Sequence, residues 1–216
     1  FNPVDNYGAH KVESEKMVDA SGLPHAVFRL GAVVSVDLAA VISRDAIVLE
    51  QSIPRDQRSH AIDVRDAALA FANAVKRGRE IDGRVFMIGG EESCEMTHRD
   101  LADDMLEAIG LRRLGPKASL PGNPHDDRQW TMIDWMDTAE AQRELDFQHH
   151  TWHETLSWLR AEIGGKRALL RAISAAAKPA AHGMFLVQRR VNKRGVYADP
   201  WQLIERRFGS DAHTLD

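Results

Sequence analysis

The chain has 216 residues, of which 44% are hydrophobic and 28% charged, and its formal net charge is −4. That length carries one large domain or two small ones around a core of useful size, and the composition is that of a soluble globular fold. The charge balance gives no reason to invoke nucleic acid, no run reaches the roughly 18 apolar residues of a membrane span, and the start carries no signal-peptide pattern. The single cysteine, Cys94, excludes an internal disulfide and a multi-cysteine zinc site, and fits a reducing cytoplasm.

Residue 1 is Phe, and Phe1-Asn2-Pro3-Val4 reads as the end of a loop entering a helix, so the chain is expected to open partway through a longer fold. Asp5 or Asn6 starts a helix that runs to about Ala20 and is stopped by Ser21-Gly22-Leu23-Pro24. On it Tyr7 and Lys11 stand four residues apart, which puts a phenol and an ammonium on one helical face. A free tyrosine, with a pKa of about 10, is a poor base at neutral pH, and a neighbouring cation favours the phenolate. Such a pair can take a proton from an alcohol or return it to a carbonyl. Taken alone, the spacing equally suits a helix start with a buried Tyr and a solvated Lys.

From His25 to Val36 the sequence is almost continuously apolar, as expected of a strand covered on both faces in a parallel sheet. Helix, turn and buried strand argue for α/β architecture. Asp45–Leu49 and Ala61–Val64 are short strand candidates, and Asp66 is placed as the N-cap of an alanine-rich helix over 67–75. Arg84–Ile88 reads as a strand stopped by Gly89-Gly90, and Thr97-His98-Arg99-Asp100 as a helix cap. Leu111–Gln129 reads as a surface loop, followed by helices over 138–145 and 151–163. From Lys166 on, ten Lys and Arg face four Asp and Glu, a net +6 against −10 for the rest. This tail is read as a helix, a short strand at Met184–Val187, a basic loop and a last helix near Pro200–Phe208, packing on the body or on a second subunit.

The order of these pieces resembles the extended short-chain dehydrogenase/reductase family of NAD-dependent epimerases and dehydratases, over about residues 1–164. Four stretches carry the likeness. Tyr7-Gly-Ala-His-Lys11 is similar to the active-site helix, and Val27-Phe-Arg29-Leu-Gly-Ala-Val-Val34 to the strand after it. Ile62-Asp-Val-Arg-Asp66 is similar to the family's Val-Asp-Asp-Val-Ala segment, and Gly83-Arg-Val-Phe-Met-Ile-Gly89-Gly90 to its substrate-domain strand. Asp137-Thr-Ala-Glu-Ala-Gln-Arg-Glu-Leu145 looks like a late family helix. The resemblance implies a partial Rossmann-like parallel sheet over 1–80 and an interleaved substrate-binding α/β lobe over 81–164, and the charge shift marks 165–216 as a helical basic extension.

It also implies NAD or NADP as cofactor, Tyr7 as acid/base, Lys11 on the nicotinamide ribose, and Leu30–Val33 beside the nicotinamide. The substrate expected is a nucleotide sugar or a similar alcohol or ketone. For a nucleotide sugar, Arg84 and Arg128 are candidates for the diphosphate, since a guanidinium suits phosphate geometry, although each also reads as a solvated arginine. Trp130 and Trp135 are candidates for the pocket lining, with core packing as the plainer role. His149, His150 and His153 lack a completing carboxylate or Cys for a metal and read as solvated surface. The family's glycine-rich turn, its ribose-binding acid and its Ser or Thr lie upstream of the Tyr, and no G-x-G-x-x-G occurs in the 216 residues. The family's frequent Pro after Arg29 is Leu30 here. The chain alone is therefore expected to be inactive. A non-catalytic interaction module and one half of a split enzyme are the alternatives. A homodimer is the protein partner considered, and neither nucleic acid nor a membrane span is expected.

Overall fold

The protein is described from a computed structural model, which covers residues 5–36, 51–130, 134–191 and 193–209. Helix α1 spans Asn6–Ala20, and the Asp5 carboxylate caps it by accepting from the Gly8 amide at 2.6 Å. The apolar run that follows does not form one strand. It divides at Gly31 into β1 (Ala26–Leu30) and β2 (Ala32–Val34), which serve two different sheets. The cause is a close approach: a Cβ on Gly31 would lie 2.4 Å from the His60 carbonyl oxygen.

Strand β3 (Arg58–Asp63) runs parallel to β2, with Ala32 opposite Ala61 and Val34 opposite Asp63. Helix α2 (Val64–Arg77) follows without a loop, so its N-cap is Asp63, whose carboxylate accepts from the Arg65 amide. Asp66 is not the cap expected from the sequence. It lies in the first turn with its side chain buried. Strand β4 (Arg84–Ile88) pairs parallel with β1, Ala26 opposite Arg84 and Leu30 opposite Ile88. Strand β5 (Glu95–Thr97) closes the second sheet antiparallel to β3.

The capping pattern read at Thr97 is present: its hydroxyl accepts from the Asp100 amide and opens α3 (His98–Ala108). Helix α4 (Ala139–Leu145) is short. Helix α5 (Trp152–Ile163) begins with a reciprocal capping box between Thr151 and Glu154. The expected strand at Met184–Val187 is instead part of α6, a helix from Lys166 to Val191 that passes through Pro179. Met184, Leu186 and Val187 are each more than half exposed, so their apolar character reports no buried strand. Helix α7 (Pro200–Phe208) lies where the sequence placed it. The strand proposed at Asp45–Leu49 lies outside the described residues.

Two apolar clusters hold these layers. Ile62 of β3 with Ala70, Phe86, Ile88, Leu145 and Phe147 joins both sheets to α2 and α4. Val34, Ala61, Cys94, Leu101, Trp152 and Leu159 join the second sheet to α3 and α5. Each large side chain so buried contributes about 1.5–3 kcal/mol relative to exposure. The tail packs on the body, with the Ala198 amide donating to the Pro121 carbonyl at 2.7 Å and His182 Nε2 bonded to the Leu114 carbonyl at 2.9 Å. No helix among the described residues is long and apolar enough to cross a membrane. The α/β architecture expected from the sequence is the one observed.

Candidate functional site

The two sheets meet at a seam where β1 ends and β2 begins. The Gly31 amide donates to the Ile88 carbonyl at 2.8 Å, and the Gly90 amide donates to the Ala61 carbonyl at 2.8 Å, so each sheet holds the other's chain. His60, 1% exposed, fastens the seam from inside. Its Nδ1 accepts from the Met136 amide at 3.1 Å and its Nε2 donates to the Gly90 carbonyl at 2.9 Å, which fixes the Nε2–H tautomer. A Cβ on Gly89 would stand 2.6 Å from that Nε2, so the ring and the Gly89 backbone occupy adjoining space. The Gln148 amide nitrogen bonds the Gly89 and Gly90 carbonyls and the Thr138 hydroxyl at 2.8–3.0 Å, tying α4 and its following loop to the same point.

Helix α1 has no fully buried residue, and polar contacts join it to β1 and the turn before it. Glu15 accepts from Arg29 Nε and Nη2 at 3.0 and 2.7 Å, and His25 Nε2 lies 3.8 Å from Asp19. The hydrogen bonds from Arg29 hold the Glu15 carboxyl below its ordinary pKa, with partial burial opposing. Because the later helix residue meets the earlier strand residue, α1 runs antiparallel to β1. Tyr7 lies eight residues before Glu15, about 12 Å further along at 1.5 Å per residue. The amino-terminal half of α1 therefore points toward the carboxyl end of β1, the end at which open parallel sheets bind ligands.

Tyr7 is 71% exposed, and the Lys11 ammonium sits over its ring at 5.2 Å from the centroid. The ring is neither buried in hydrocarbon nor turned away from the amine. Leu30 closes β1 half-buried, and Val33 is 43% exposed on β2. Leu30 and Val33 thus lie on either side of the break at Gly31, at the end of β1 and within β2.

A pocket of about 420 Å³ opens beside the amino end of β3, lined by Asp56, Gln57, Arg58, Asp127, Trp130 and Asp134. Arg58 opens β3, the strand that also carries His60 of the seam. The Arg58 guanidinium stacks 4.9 Å over the Trp135 ring and lies 3.5 Å from Asp134. Trp130 donates through Nε1 to the Asn123 carbonyl at 2.8 Å and turns its ring to the pocket wall. Arg128 belongs to the turn between Asp127 and Trp130, and its side chain lies outside the described residues. Arg84 is engaged elsewhere: it pairs with Glu140 at 2.6 Å and Glu144 at 3.3 Å, at the amino end of β4, and braces α4.

Sequence reasoning passed over Arg58 and His60. Their only signal was a basic residue and a histidine at the head of an apolar stretch, and nothing local says that His60 will meet Gly90, 30 residues on. The histidines read as surface divide. His150 Nδ1 donates to the buried Asp66 carboxylate at 2.5 Å, and the His149 and His150 amides donate to its other oxygen. His153 is exposed. No cluster of three or more His, Cys, Asp or Glu among the described residues is arranged for a metal ion. Nearby, burial pushes the Asp63 carboxyl up in pKa, but bonds from Arg65 and Thr155 outweigh it and the net direction is down. Cys94 is buried, and that burial, with the charge of Glu91, pushes its thiol up to about 12.

No protein-family model matches the sequence, and no curated protein matches it. Solved structures do match the fold. UDP-glucuronic acid 4-epimerase from Bacillus cereus, solved with a fluorinated UDP-glucuronic acid and NAD, aligns at TM-score 0.54 and 19% identity, over 78% of this chain and 54% of its own. UDP-glucose 4-epimerase from Thermotoga maritima, solved with UDP-glucose, aligns at TM-score 0.52 and 20% identity, over 78% and 55%. The Bifidobacterium longum UDP-glucose 4-epimerase, solved with NAD+ and UDP, gives TM-score 0.53 and 14% identity, over 77% and 57%. At such identities the likeness is one of fold, and it agrees with the resemblance read from the sequence. The chain spans little more than half the length of these structures.

Proposed function

We propose that this chain supplies the acid/base and substrate-side part of an NAD(P)-dependent epimerase, dehydratase or reductase acting on a nucleotide sugar. The observation that carries the reading is the exposed Tyr7 ring with the Lys11 ammonium over it, in a fold shared with UDP-sugar 4-epimerases.

Tyr7 takes the proton of the reacting sugar hydroxyl and returns it to the carbonyl. Lys11, whose ammonium faces the ring, is assigned to stabilise negative charge on the phenol oxygen and to bond a ribose hydroxyl. Leu30 and Val33 offer an apolar wall to a nicotinamide, and the break at Gly31 lets the backbone come close without a side chain in the way. These residues fit the nicotinamide end of NAD or NADP. The 216 residues hold no G-x-G-x-x-G to cradle its pyrophosphate, so that cradle is assigned to residues outside them, in the same chain or a second one. When bound, the cofactor supplies and takes back the hydride. Arg58 and Arg128 are assigned to the diphosphate of the sugar nucleotide, with Trp130 and Trp135 walling the base or sugar, while Arg84 has the structural role its two carboxylates give it.

Calorimetric titration with UDP tests the assignment. Saturable binding that weakens about ten-fold or more in Arg58→Gln is expected, since a charge-assisted contact is lost. No saturable binding, or binding indifferent to Arg58, overturns it and leaves an interaction module as the reading.

A further inference from the structure

A second pocket, of about 280 Å³, lies away from the seam between the 116–120 loop and α6. Arg55, Lys117 and Arg189 line it together with Ser119, His182 and Leu186, and no carboxylate does. Each guanidinium makes one bond to a neighbouring carbonyl: Arg55 Nη1 to Pro116 at 3.1 Å and Arg189 Nη2 to Lys117 at 3.0 Å. A guanidinium has five N–H donors, so most of each fork is left over. Neither arginine, nor Lys117, forms an ion pair among the described residues.

Two further observations point to a missing acceptor. Ser119 is 2% exposed, lines the pocket, and its hydroxyl has no hydrogen-bond partner. Buried hydroxyls are ordinarily bonded, and each exception asks for an explanation. Arg194, outside the lining, bonds the Gln51 carbonyl at 3.0 Å through Nη1 and adds its positive charge beside Arg189. Burial, followed by the charge of Arg55, pushes the Arg189 pKa down from its ordinary value. A cavity just under the roughly 300 Å³ of the smallest drug-sized sites suits a small ligand.

We propose that this pocket binds a phosphate group, free or carried on a small phosphorylated molecule, between the Arg55 and Arg189 guanidiniums, with the Lys117 ammonium and the Ser119 hydroxyl as further donors. The bound group joins the body of the protein, through Arg55, Lys117 and Ser119, to α6 through Arg189, and so fixes the tail. A tetrahedral oxyanion can meet two guanidinium forks and a hydroxyl at once, which is why phosphate is chosen over a carboxylate. The proposal is independent of the function assigned to the seam.

Isothermal titration with inorganic phosphate, and separately with phosphoserine, at constant ionic strength tests it. Saturable one-to-one binding is expected, weakened at least about ten-fold in Arg55→Gln and in Arg189→Gln by loss of a charge-assisted contact, and a few-fold in Ser119→Ala. Ser119→Ala removes one oxygen and keeps the packing, so it reads the site even where an arginine variant misfolds. Arg58→Gln, in the other pocket, leaves phosphate affinity unchanged. Tighter binding of phosphoserine supports the carried form and tighter binding of phosphate the free form. No saturable binding up to about 10 mM, or binding that survives both arginine variants or falls equally in Arg58→Gln, overturns the proposal.

Discussion

Replacing Gly31 by Ala tests the seam at its tightest point. The new Cβ would sit 2.4 Å from the His60 carbonyl oxygen, where ordinary contact begins at 3.4 Å, so the two backbones must part by about 1 Å. Neither side yields easily. The Gly31 amide is held by the Ile88 carbonyl, and the flanking strands β2 and β3 are paired in register. Overpacking of this kind costs about 1–3 kcal/mol, and with backbone on both sides the upper half, about 2–3 kcal/mol, applies. For a chain of this size each kcal/mol moves Tm by roughly 2–4 °C, so a fall of about 4–12 °C is expected. Thermal and urea melts measure it, with an unchanged urea slope showing that the native state, and not the unfolded chain, is altered. A cost below about 0.5 kcal/mol, the range of neutral surface substitutions, would refute the close approach and with it the division of the apolar run into two strands.

Glu15→Gln removes the charge that holds α1 to β1. The pair is partly exposed, so the loss is about 1 kcal/mol, and because α1 has no fully buried residue, hydrogen exchange over residues 6–20 is expected to rise selectively. Asp63 has a lowered folded pKa, so its stabilisation is present above the unfolded value of about 3.9 and is lost as pH falls through the folded one. Urea melts should show Asp63→Asn destabilised by about 2–4 kcal/mol at pH 7, with the gap to wild type closing below about pH 4. Cys94, with its thiol pushed up to about 12, should resist thiol reagents in the native protein and react at once in denaturant, as thiol titration will show.

What was legible in the sequence was whatever local chemistry decides. Asp5, Thr97 and Thr151 each offer a side-chain oxygen to the first turn, and the helices begin there. Gly83 and Gly89 bracket β4 at the expected residues. The misreadings are places where distant contacts decide. Asp63 and Asp66 are both acids near a helix start, and the choice between them depends on Thr155, which bonds Asp63, and on His150, which bonds Asp66. The run from His25 to Val36 looks continuous because periodicity cannot report that His60 comes within contact of residue 31. Met184–Val187 is apolar at a length where strand and helix read alike, and the helix carries it through. In the candidate site, the Tyr7–Lys11 pair was visible because both residues lie on one turn-and-a-bit of helix. The Arg58 pocket was not, because its walls come from residues 56–58 and from Asp127, Trp130 and Asp134, about 70 residues on.

The most direct test of the central claim is single-turnover hydride transfer from a UDP-sugar to NAD, followed by nicotinamide absorbance, with a glycine-rich cofactor half supplied in the same or a second chain. Tyr7→Phe, which keeps the ring and removes the oxygen, should slow the transfer by about 10²–10⁴-fold while leaving UDP affinity unchanged. A Tyr7→Phe protein that transfers hydride within about two-fold of wild type, or a wild type that transfers none, would contradict it.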